Sequence, residues 1–176
     1  MTFFKERLKN IQALIFDVDG VLSSDSSPLD EAGDPVRTAY VKDGLAIRCA
    51  IESGFHVGII TGANTSRVRL RHKKLGIEHI YMNAFNKTEC LDDFILKTGI
   101  AKNEILYMGD DLVDYQIMKE VGISTCPLDA VPEIKAISQY ISDKKGGEGC
   151  VRDVIEQVMR SQQKWFGQEI KGIKAD

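Results

Sequence analysis

The chain has 176 residues, of which 43% are hydrophobic and 28% are charged, and its formal net charge is −3. This length and composition are typical of a globular chain that can bury a substantial core. The negative charge and the lack of a basic stripe with interleaved aromatic residues argue against nucleic acid as a partner.

The four cysteines are far apart in sequence, form no C-x-x-C pair and have no histidine at zinc-site spacing: Cys49, Cys90, Cys126 and Cys150. The first ten residues do not resemble a signal peptide, so we expect reduced thiols in a cytoplasmic protein. No apolar stretch approaches the ~20 residues that span a bilayer, so we expect no membrane partner.

Strand and helix signals alternate along the chain, as in α/β folds with a parallel sheet. The predicted strands are 13–16, 55–60, 77–82, 105–108, 123–126 and 139–141. The predicted helices are 44–53, 65–75, 87–97, 112–121 and 151–165. Residues 21–37, rich in Ser, Asp, Gly and Pro, predict a small β-hairpin flap with its turn at 31–34.

Residues 1–176 are interpreted as one domain, with a glycine-rich loop at 143–153 and a flexible tail at 166–176. Neither 20–61 nor 62–110 has room for a separate lid domain beyond the predicted elements. A site at the edge of the sheet therefore stays open unless another subunit covers it.

Polar groups follow the apolar runs of the predicted strands: Asp17 and Asp19, then Thr61 and Gly62, then Lys87, then Asp110, Asp111 and Asp114. Because the carboxyl ends of parallel strands share one edge, we expect these groups to converge in one crevice. Carboxylates suit Mg²⁺, whereas a hydroxyl and an ammonium suit phosphate oxygens. The set predicts hydrolysis of a phosphate ester.

Each motif alone has an ordinary structural interpretation. The D-x-D-G segment can be an acidic turn, and Asp110 or Asp111 can be a helix N-cap. An EF-hand is excluded because Leu22 stands where that loop requires glycine, and the absence of a Gly-Lys pair excludes a P-loop. The prediction depends on the ordered set.

This ordered set resembles the haloacid dehalogenase (HAD) superfamily over nearly the whole chain. The resemblance implies a Rossmann-like sheet with helices on both faces and no cap domain. It implies that Asp17 is the nucleophile that becomes a phosphoaspartate, and that Asp19 is first the acid and then the base. Thr61 and Lys87 would hold the transferring phosphate oxygens.

The same resemblance implies a Mg²⁺ site. The carboxylates of Asp17 and Asp110 and the backbone carbonyl of Asp19 would hold the ion. Asp111 and Asp114 would orient Lys87 and the waters of the metal.

Residues 41–49 and 146–153 are similar to the 3-deoxy-D-manno-octulosonate 8-phosphate phosphatases. That family forms tetramers in which a glycine-rich tail closes the active site of the neighbour. The resemblance therefore implies a homotetramer and a small phosphorylated sugar acid as substrate. The implied substrate residues are Asp19, Tyr40, Val41, Lys42, Asp43, Gly44, Arg48, Gly62, Arg71, Lys87 and Arg152.

Two alternatives remain open at this point. Ala63 stands where these phosphatases usually carry arginine after Thr-Gly, so a nine-carbon acid, the deoxynononate 9-phosphate, is a second candidate substrate. A non-enzymatic phospho-acceptor domain uses the same residue types, but its lysine comes last, whereas Lys87 precedes the Gly-Asp-Asp cluster.

Overall fold

Six parallel strands form the centre of the molecule in the computed structural model, which describes residues 4–165. They are β1 (Ala13–Phe16), β2 (His56–Ile60), β3 (His79–Tyr81), β4 (Ile105–Met108), β5 (Ile123–Cys126) and β6 (Tyr140–Ile141). Their order in the sheet is β3-β2-β1-β4-β5-β6. β1 lies between β2 and β4, with Phe16 opposite Ile59 on one side and Met108 on the other. The predicted parallel sheet is confirmed.

Seven α-helices accompany these strands within residues 4–165. They are α1 (Phe4–Arg7), α2 (Val41–Glu52), α3 (Ser66–Lys74), α4 (Lys87–Thr98), α5 (Tyr115–Glu120), α6 (Pro132–Ile137) and α7 (Cys150–Ser161). The predicted helix at 112–121 begins as a 3-10 turn, Leu112–Asp114, before α5. The sequence analysis missed α6, which has proline at its first position, where no intrahelical N–H is needed.

Alternate residues of β1 enter two separate cores. Leu14 and Phe16 pack in one core with residues of α2, α3 and α7. Ala13 and Ile15 pack in the other with residues of α4, α5 and α6. This alternation follows from the two-residue period of a strand and confirms the prediction of helices on both faces. None of the described helices is long and apolar enough to cross a membrane.

The predicted flap forms a minimal hairpin around its predicted turn. The carboxylate of Asp30 accepts hydrogen bonds from the N–H groups of Ala32 and Asp34, both at 3.0 Å. Beyond this turn, Leu29 and Pro35 form a single antiparallel bridge. Val36 donates to the carbonyl of Pro28 at 2.8 Å, but Pro28 has no N–H to return, so the pairing does not extend further.

The glycine-rich loop packs against its own chain. A Cβ atom at Gly146 would stand 2.0 Å from the carbonyl oxygen of Gly20. The N–H of Gly147 donates to the carbonyl of Val21 at 2.8 Å, and the thiol of Cys150 donates to the same oxygen at 3.3 Å. The loop therefore lies against the segment that follows β1 of the same chain. The predicted tail at 166–176 lies outside the described residues.

Candidate active site

Asp17 directly follows β1 and is buried at the carboxyl edge of the sheet. Its Oδ1 accepts the N–H of Val18 at 2.6 Å, and its Oδ2 accepts the ammonium of Lys87 at 2.6 Å. Burial, reinforced by the charge of Asp114, raises the pKa of Asp17 to about 7, although Lys87 opposes the shift. A cation that offsets these charges would favour the ionised nucleophile.

Lys87, the first residue of α4, links Asp17 to a second buried carboxylate. Its Nζ lies 2.7 Å from Oδ1 of Asp114. Burial alone lowers the pKa of Lys87, but the two carboxylates outweigh burial and the pKa is raised. The ammonium is therefore charged and held in one place.

Asp114 accepts hydrogen bonds from three different residues at the end of this network. Besides Lys87, its Oδ1 accepts the phenol of Tyr107 at 2.6 Å, and its Oδ2 accepts the N–H of Asp110 at 3.1 Å. Because both oxygens are occupied, Asp114 positions Lys87 and the backbone of Asp110. Of the two residues predicted to orient Lys87, Asp114 contacts it.

Asp111 has a different environment from the one expected for it. It is exposed, and its carboxylate accepts the N–H of Leu112 at 2.7 Å. It is the N-cap of the 3-10 turn that precedes α5. The structure thus shows the helix-capping role that the sequence analysis had kept as an alternative.

Three carboxylates form a candidate cation site. Asp17, Asp110 and Asp114 each offer an oxygen within 4.8 Å of the others. Burial, followed by the charges of Asp114 and Asp17, raises the pKa of Asp110 to about 8. A single ammonium does not balance three acids, and hard oxygen ligands suit Mg²⁺. Asp114 accepts three hydrogen bonds, more than either of the other two carboxylates, so Asp17 and Asp110 are the residues that would hold the ion.

Thr61 follows β2 and is fully buried. Its N–H donates to the carbonyl of Tyr81 at 3.0 Å, and its Oγ1 accepts the N–H of Ala63 at 3.1 Å. These bonds fix the hydroxyl at the same edge as Asp17. Gly62 is exposed, and a Cβ atom there would meet no neighbour within 4 Å.

Asp19 has a partner that the sequence analysis missed. The guanidinium of Arg37 binds it bidentately, with Nε 2.6 Å from Oδ1 and Nη2 2.8 Å from Oδ2. The hydrogen bond to Asp19 raises the pKa of Arg37. No spacing in the sequence marks this pair, because the two residues are joined by an irregular loop of 17 residues.

A cavity of about 390 Å³ opens beside Arg37, the partner of Asp19, between residues 34–40 and helices α2 and α3, and Asp19 itself is not part of its wall. Of the predicted substrate residues, its wall includes Tyr40, Asp43, Gly44 and Arg71. Arg71 lies so close to Gly44 that a Cβ atom there would stand 2.8 Å from Nη2. A guanidinium in this wall suits an anionic substrate.

The remaining predicted substrate residues lie outside this wall. Val41 and Lys42 are exposed on the first turn of α2, and Arg48 is half-buried further along the same helix. Arg152 binds Glu156 at 2.6 Å on α7. Its N–H donates to Oδ1 of Asp43, a residue of the cavity wall, at 2.8 Å.

Comparison with known proteins agrees with this geometry. A family model of haloacid dehalogenase-like hydrolases matches residues 72–155. The 3-deoxy-D-manno-octulosonate 8-phosphate phosphatase KdsC of Salmonella typhi is 37% identical over 163 residues, which are 93% of this chain and 87% of that protein. The chain belongs to the 3-deoxy-D-manno-octulosonate 8-phosphate phosphatase family. The resemblance inferred from the motifs is confirmed.

Solved structures of this family share the fold. The phosphatase of Yersinia pestis has a TM-score of 0.88 and 34% identity, over 91% of this chain and 86% of that chain. The phosphatase of Moraxella catarrhalis, solved with a magnesium ion, a phosphate ion and a KDO molecule, has a TM-score of 0.86 and 34% identity, over 90% and 91% of the two chains. The HAD-like fold of the present chain is thus established, and the relative from Moraxella catarrhalis binds magnesium.

Proposed function

We propose that the protein is a Mg²⁺-dependent phosphatase that hydrolyses 3-deoxy-D-manno-octulosonate 8-phosphate to the free sugar acid and phosphate. The observation that carries the proposal is the buried network in which Lys87 joins Asp17 to Asp114 while Asp110 stands beside them. Family membership at 37% identity supports the same activity.

Asp17 would attack phosphorus in line with the ester oxygen. A bond forms between a carboxylate oxygen of Asp17 and phosphorus, and the bond from phosphorus to the sugar oxygen breaks. Asp19 gives its proton to that leaving oxygen, so the sugar departs as an alcohol. The product of this half-reaction is a phosphoaspartate at residue 17.

The second half-reaction restores the enzyme. Asp19, now a carboxylate, takes a proton from a water molecule that attacks phosphorus, and the bond between phosphorus and Asp17 breaks. Lys87 and Thr61 hold the transferring oxygens, and bound Mg²⁺ would supply further positive charge to them. The need to activate water favours a phosphatase over a phosphotransferring mutase.

The cavity beside Arg37 would hold the sugar acid. The Arg71 guanidinium in its wall suits a carboxylate that a neutral hexose phosphate lacks. Ala63 is buried and brings no charge to the site, so the nine-carbon acid phosphate is retained as the alternative substrate.

We also propose a homotetrameric, cytoplasmic, single-domain protein. Large apolar side chains are exposed where the chain leaves or re-enters the carboxyl edge of the sheet: Val41, Phe85, Leu112 and Val113. Exposed apolar groups around a binding crevice are typical of a surface that another subunit covers. The four cysteines are free thiols, as a reducing compartment requires.

Phosphate release from a panel of esters tests the proposal. With Mg²⁺, the protein should cleave the octulosonate 8-phosphate with a higher kcat/KM than the nononate 9-phosphate, and both well above glucose 6-phosphate. Asp17→Asn should release no phosphate, whereas Asp92→Asn, an exposed control, should be fully active. Failure of the wild type on every ester would favour a phospho-acceptor domain instead.

A further inference from the structure

Arg37 occupies both oxygens of the proposed acid/base. Its Nε and Nη2 lie 2.6 and 2.8 Å from Oδ1 and Oδ2 of Asp19. The side chain of Arg37 is 12% exposed and that of Asp19 is 44% exposed. The guanidinium is therefore desolvated and depends on a carboxylate partner.

The same guanidinium stands between the catalytic carboxylates and the cavity. Arg37 lines the cavity, together with Arg71 from α3, whereas Asp17, Thr61 and Lys87 are not part of its wall. A substrate whose phosphate lies at Asp17 would extend its leaving group past Asp19 into this cavity. Arg37 thus faces the leaving group rather than the phosphate.

Asp19 cannot serve the leaving oxygen while Arg37 holds it. As the general acid, Asp19 must carry a proton on an oxygen that faces the ester, whereas a guanidinium bound to both oxygens favours the ionised carboxylate turned toward Arg37. The bidentate pair must therefore open during the reaction. Opening it without a substitute leaves a largely shielded guanidinium without its carboxylate, which costs free energy.

We propose that Arg37 is a specificity-determining residue that exchanges the carboxylate of Asp19 for the carboxylate of the substrate, and so frees Asp19. This proposal rests on the proposed phosphatase function. A sugar acid offers the planar anion that replaces Asp19 in the fork, whereas a neutral sugar offers none. The protein thereby links recognition of the sugar acid to release of its acid/base.

The surroundings of Arg37 favour this exchange. Its backbone is anchored on both sides, by the bridge between Leu29 and Pro35 and by the hydrogen bond from the N–H of Thr38 to Oγ of Ser23 at 3.2 Å. Rotation of the side chain is therefore sufficient, and the loop need not move.

Other carboxylates of the cavity wall do not compete for the role of Asp19. Asp30 lies 3.8 Å from Arg67, and Asp43 accepts the N–H of Arg152. Asp34 lines the cavity but is exposed to solvent. Asp19 is thus the carboxylate that the substrate replaces.

The first test compares Arg37→Gln and Arg37→Lys with wild type on three substrates. On the octulosonate 8-phosphate, kcat/KM should fall at least about tenfold in Arg37→Gln, with a smaller loss in Arg37→Lys, because lysine keeps the charge without the fork. Glucose 6-phosphate and p-nitrophenyl phosphate, which bring no carboxylate, should be cleaved faster than by wild type, because Asp19 is then free without an exchange. Arg69→Gln, which removes an exposed arginine of α3 outside the cavity wall, is the control and should match wild type.

The second test separates the carboxylate from the phosphate. Free 3-deoxy-D-manno-octulosonate and inorganic phosphate are each used to inhibit hydrolysis of p-nitrophenyl phosphate. Arg37→Gln should weaken inhibition by the sugar acid about tenfold or more and leave inhibition by phosphate unchanged.

The proposal would be overturned if Arg37→Gln lowered kcat/KM equally on all three substrates. It would also be overturned if Arg37→Gln weakened inhibition by phosphate but not inhibition by the sugar acid. An unchanged preference for the sugar-acid phosphate in Arg37→Gln would overturn it as well. In each of these outcomes the wild type still releases phosphate, so the phosphatase proposal stands. If neither Arg37 variant cleaves p-nitrophenyl phosphate, the affinity for the free sugar acid is measured directly. The sugar acid is titrated against Asp17→Asn and against the double variant Asp17→Asn with Arg37→Gln. The double variant must bind it more weakly than Asp17→Asn does.

Discussion

Gly20 lies directly against the carboxylate of Asp110. A Cβ atom at Gly20 would stand 1.9 Å from Oδ2 of Asp110, and the backbone there has a φ of +73°. The glycine of the D-x-D-G segment thus leaves space for a carboxylate that arrives from another strand. The two motifs, 90 residues apart in the chain, depend on each other sterically.

Gly20→Ala should therefore displace Asp110 and weaken the cation site. We expect the Mg²⁺ concentration for half-maximal hydrolysis of p-nitrophenyl phosphate to rise at least about tenfold, because one of two proposed carboxylate ligands moves. Gly33→Ala is a matched control, since Gly33 has a φ of +84° and no neighbour within 4 Å of a Cβ atom. It should lose ~1 kcal/mol of stability from backbone strain and keep its Mg²⁺ response. Equal Mg²⁺ responses in both variants would contradict the steric explanation.

Asp19→Asn tests the acid. Removal of a general acid typically lowers the rate 10²- to 10⁴-fold when the leaving group needs a proton. We expect a loss on that scale with the octulosonate 8-phosphate and a much smaller loss with p-nitrophenyl phosphate, whose phenolate leaves readily. The ratio of the two kcat values measures this effect, and a ratio equal to that of wild type would remove Asp19 from the role of acid.

Lys87→Met should destabilise the protein in a pH-dependent manner. The substitution leaves Asp17 and Asp114 buried without their ammonium, which typically costs ~3–5 kcal/mol. Since the pKa of Asp17 is already raised to about 7, its carboxyl can protonate at pH 6, and the loss should be larger at pH 9.

Urea unfolding in EDTA at the two pH values gives the free energies for Lys87→Met. Lys97→Met on the same helix removes an exposed pair with Asp93 and should cost less than about 1 kcal/mol at either pH. A loss that is independent of pH would show that Lys87 contributes packing rather than charge.

Asp43 should make stability fall as pH rises. Burial raises its pKa from 3.8 to about 6, and its Oδ2 has no hydrogen-bond partner among the described residues. Between about pH 4 and pH 6, Asp43 is protonated in the folded protein and ionised in the unfolded chain. The free energy of unfolding therefore decreases with increasing pH. The buried charge is fully present above about pH 7.

Asp43→Asn keeps an acceptor for the N–H of Arg152 and removes the charge. Relative to wild type, the variant should be more stable at pH 8 than at pH 4.5 by about 2 kcal/mol. Urea unfolding at both pH values measures the difference, with the exposed Asp25→Asn as control. If the two variants show the same pH dependence, Asp43 is not buried as an ion.

Sedimentation tests the proposed tetramer. Phe85, at the carboxyl edge of the sheet, is 90% exposed in the single chain. We expect a tetramer at micromolar concentration for wild type and dissociation for Phe85→Ser. Leu96→Ser, which removes an exposed leucine near the other end of α4, should remain tetrameric. A wild-type monomer would disprove the assembly.

Sequence order was sufficient to predict the sheet and the convergence of the acidic motifs. Strands such as 13–16 and 105–108 are buried on both faces, so each appears in the sequence as a continuous apolar run. Because the strands are parallel, Asp17 and Asp110 come to the same edge of the sheet. The extent of the flap was harder to predict, because its turn chemistry is local but the length of its pairing depends on an N–H group that Pro28 lacks.

Arg37 and the glycine-rich loop were decided by tertiary structure. An irregular loop carries no periodicity, so nothing in the sequence shows that Arg37 binds Asp19. Likewise, the three glycines within 146–149 allow another backbone segment to come close, but the sequence does not show which segment. In the structure it is the segment of the same chain that contains Val21. The sequence by itself determined which chemical groups reach the sheet edge, because strand periodicity and order are local properties. Which of them touch was decided only by packing, because contacts between distant residues depend on how the helices and loops are arranged around the sheet.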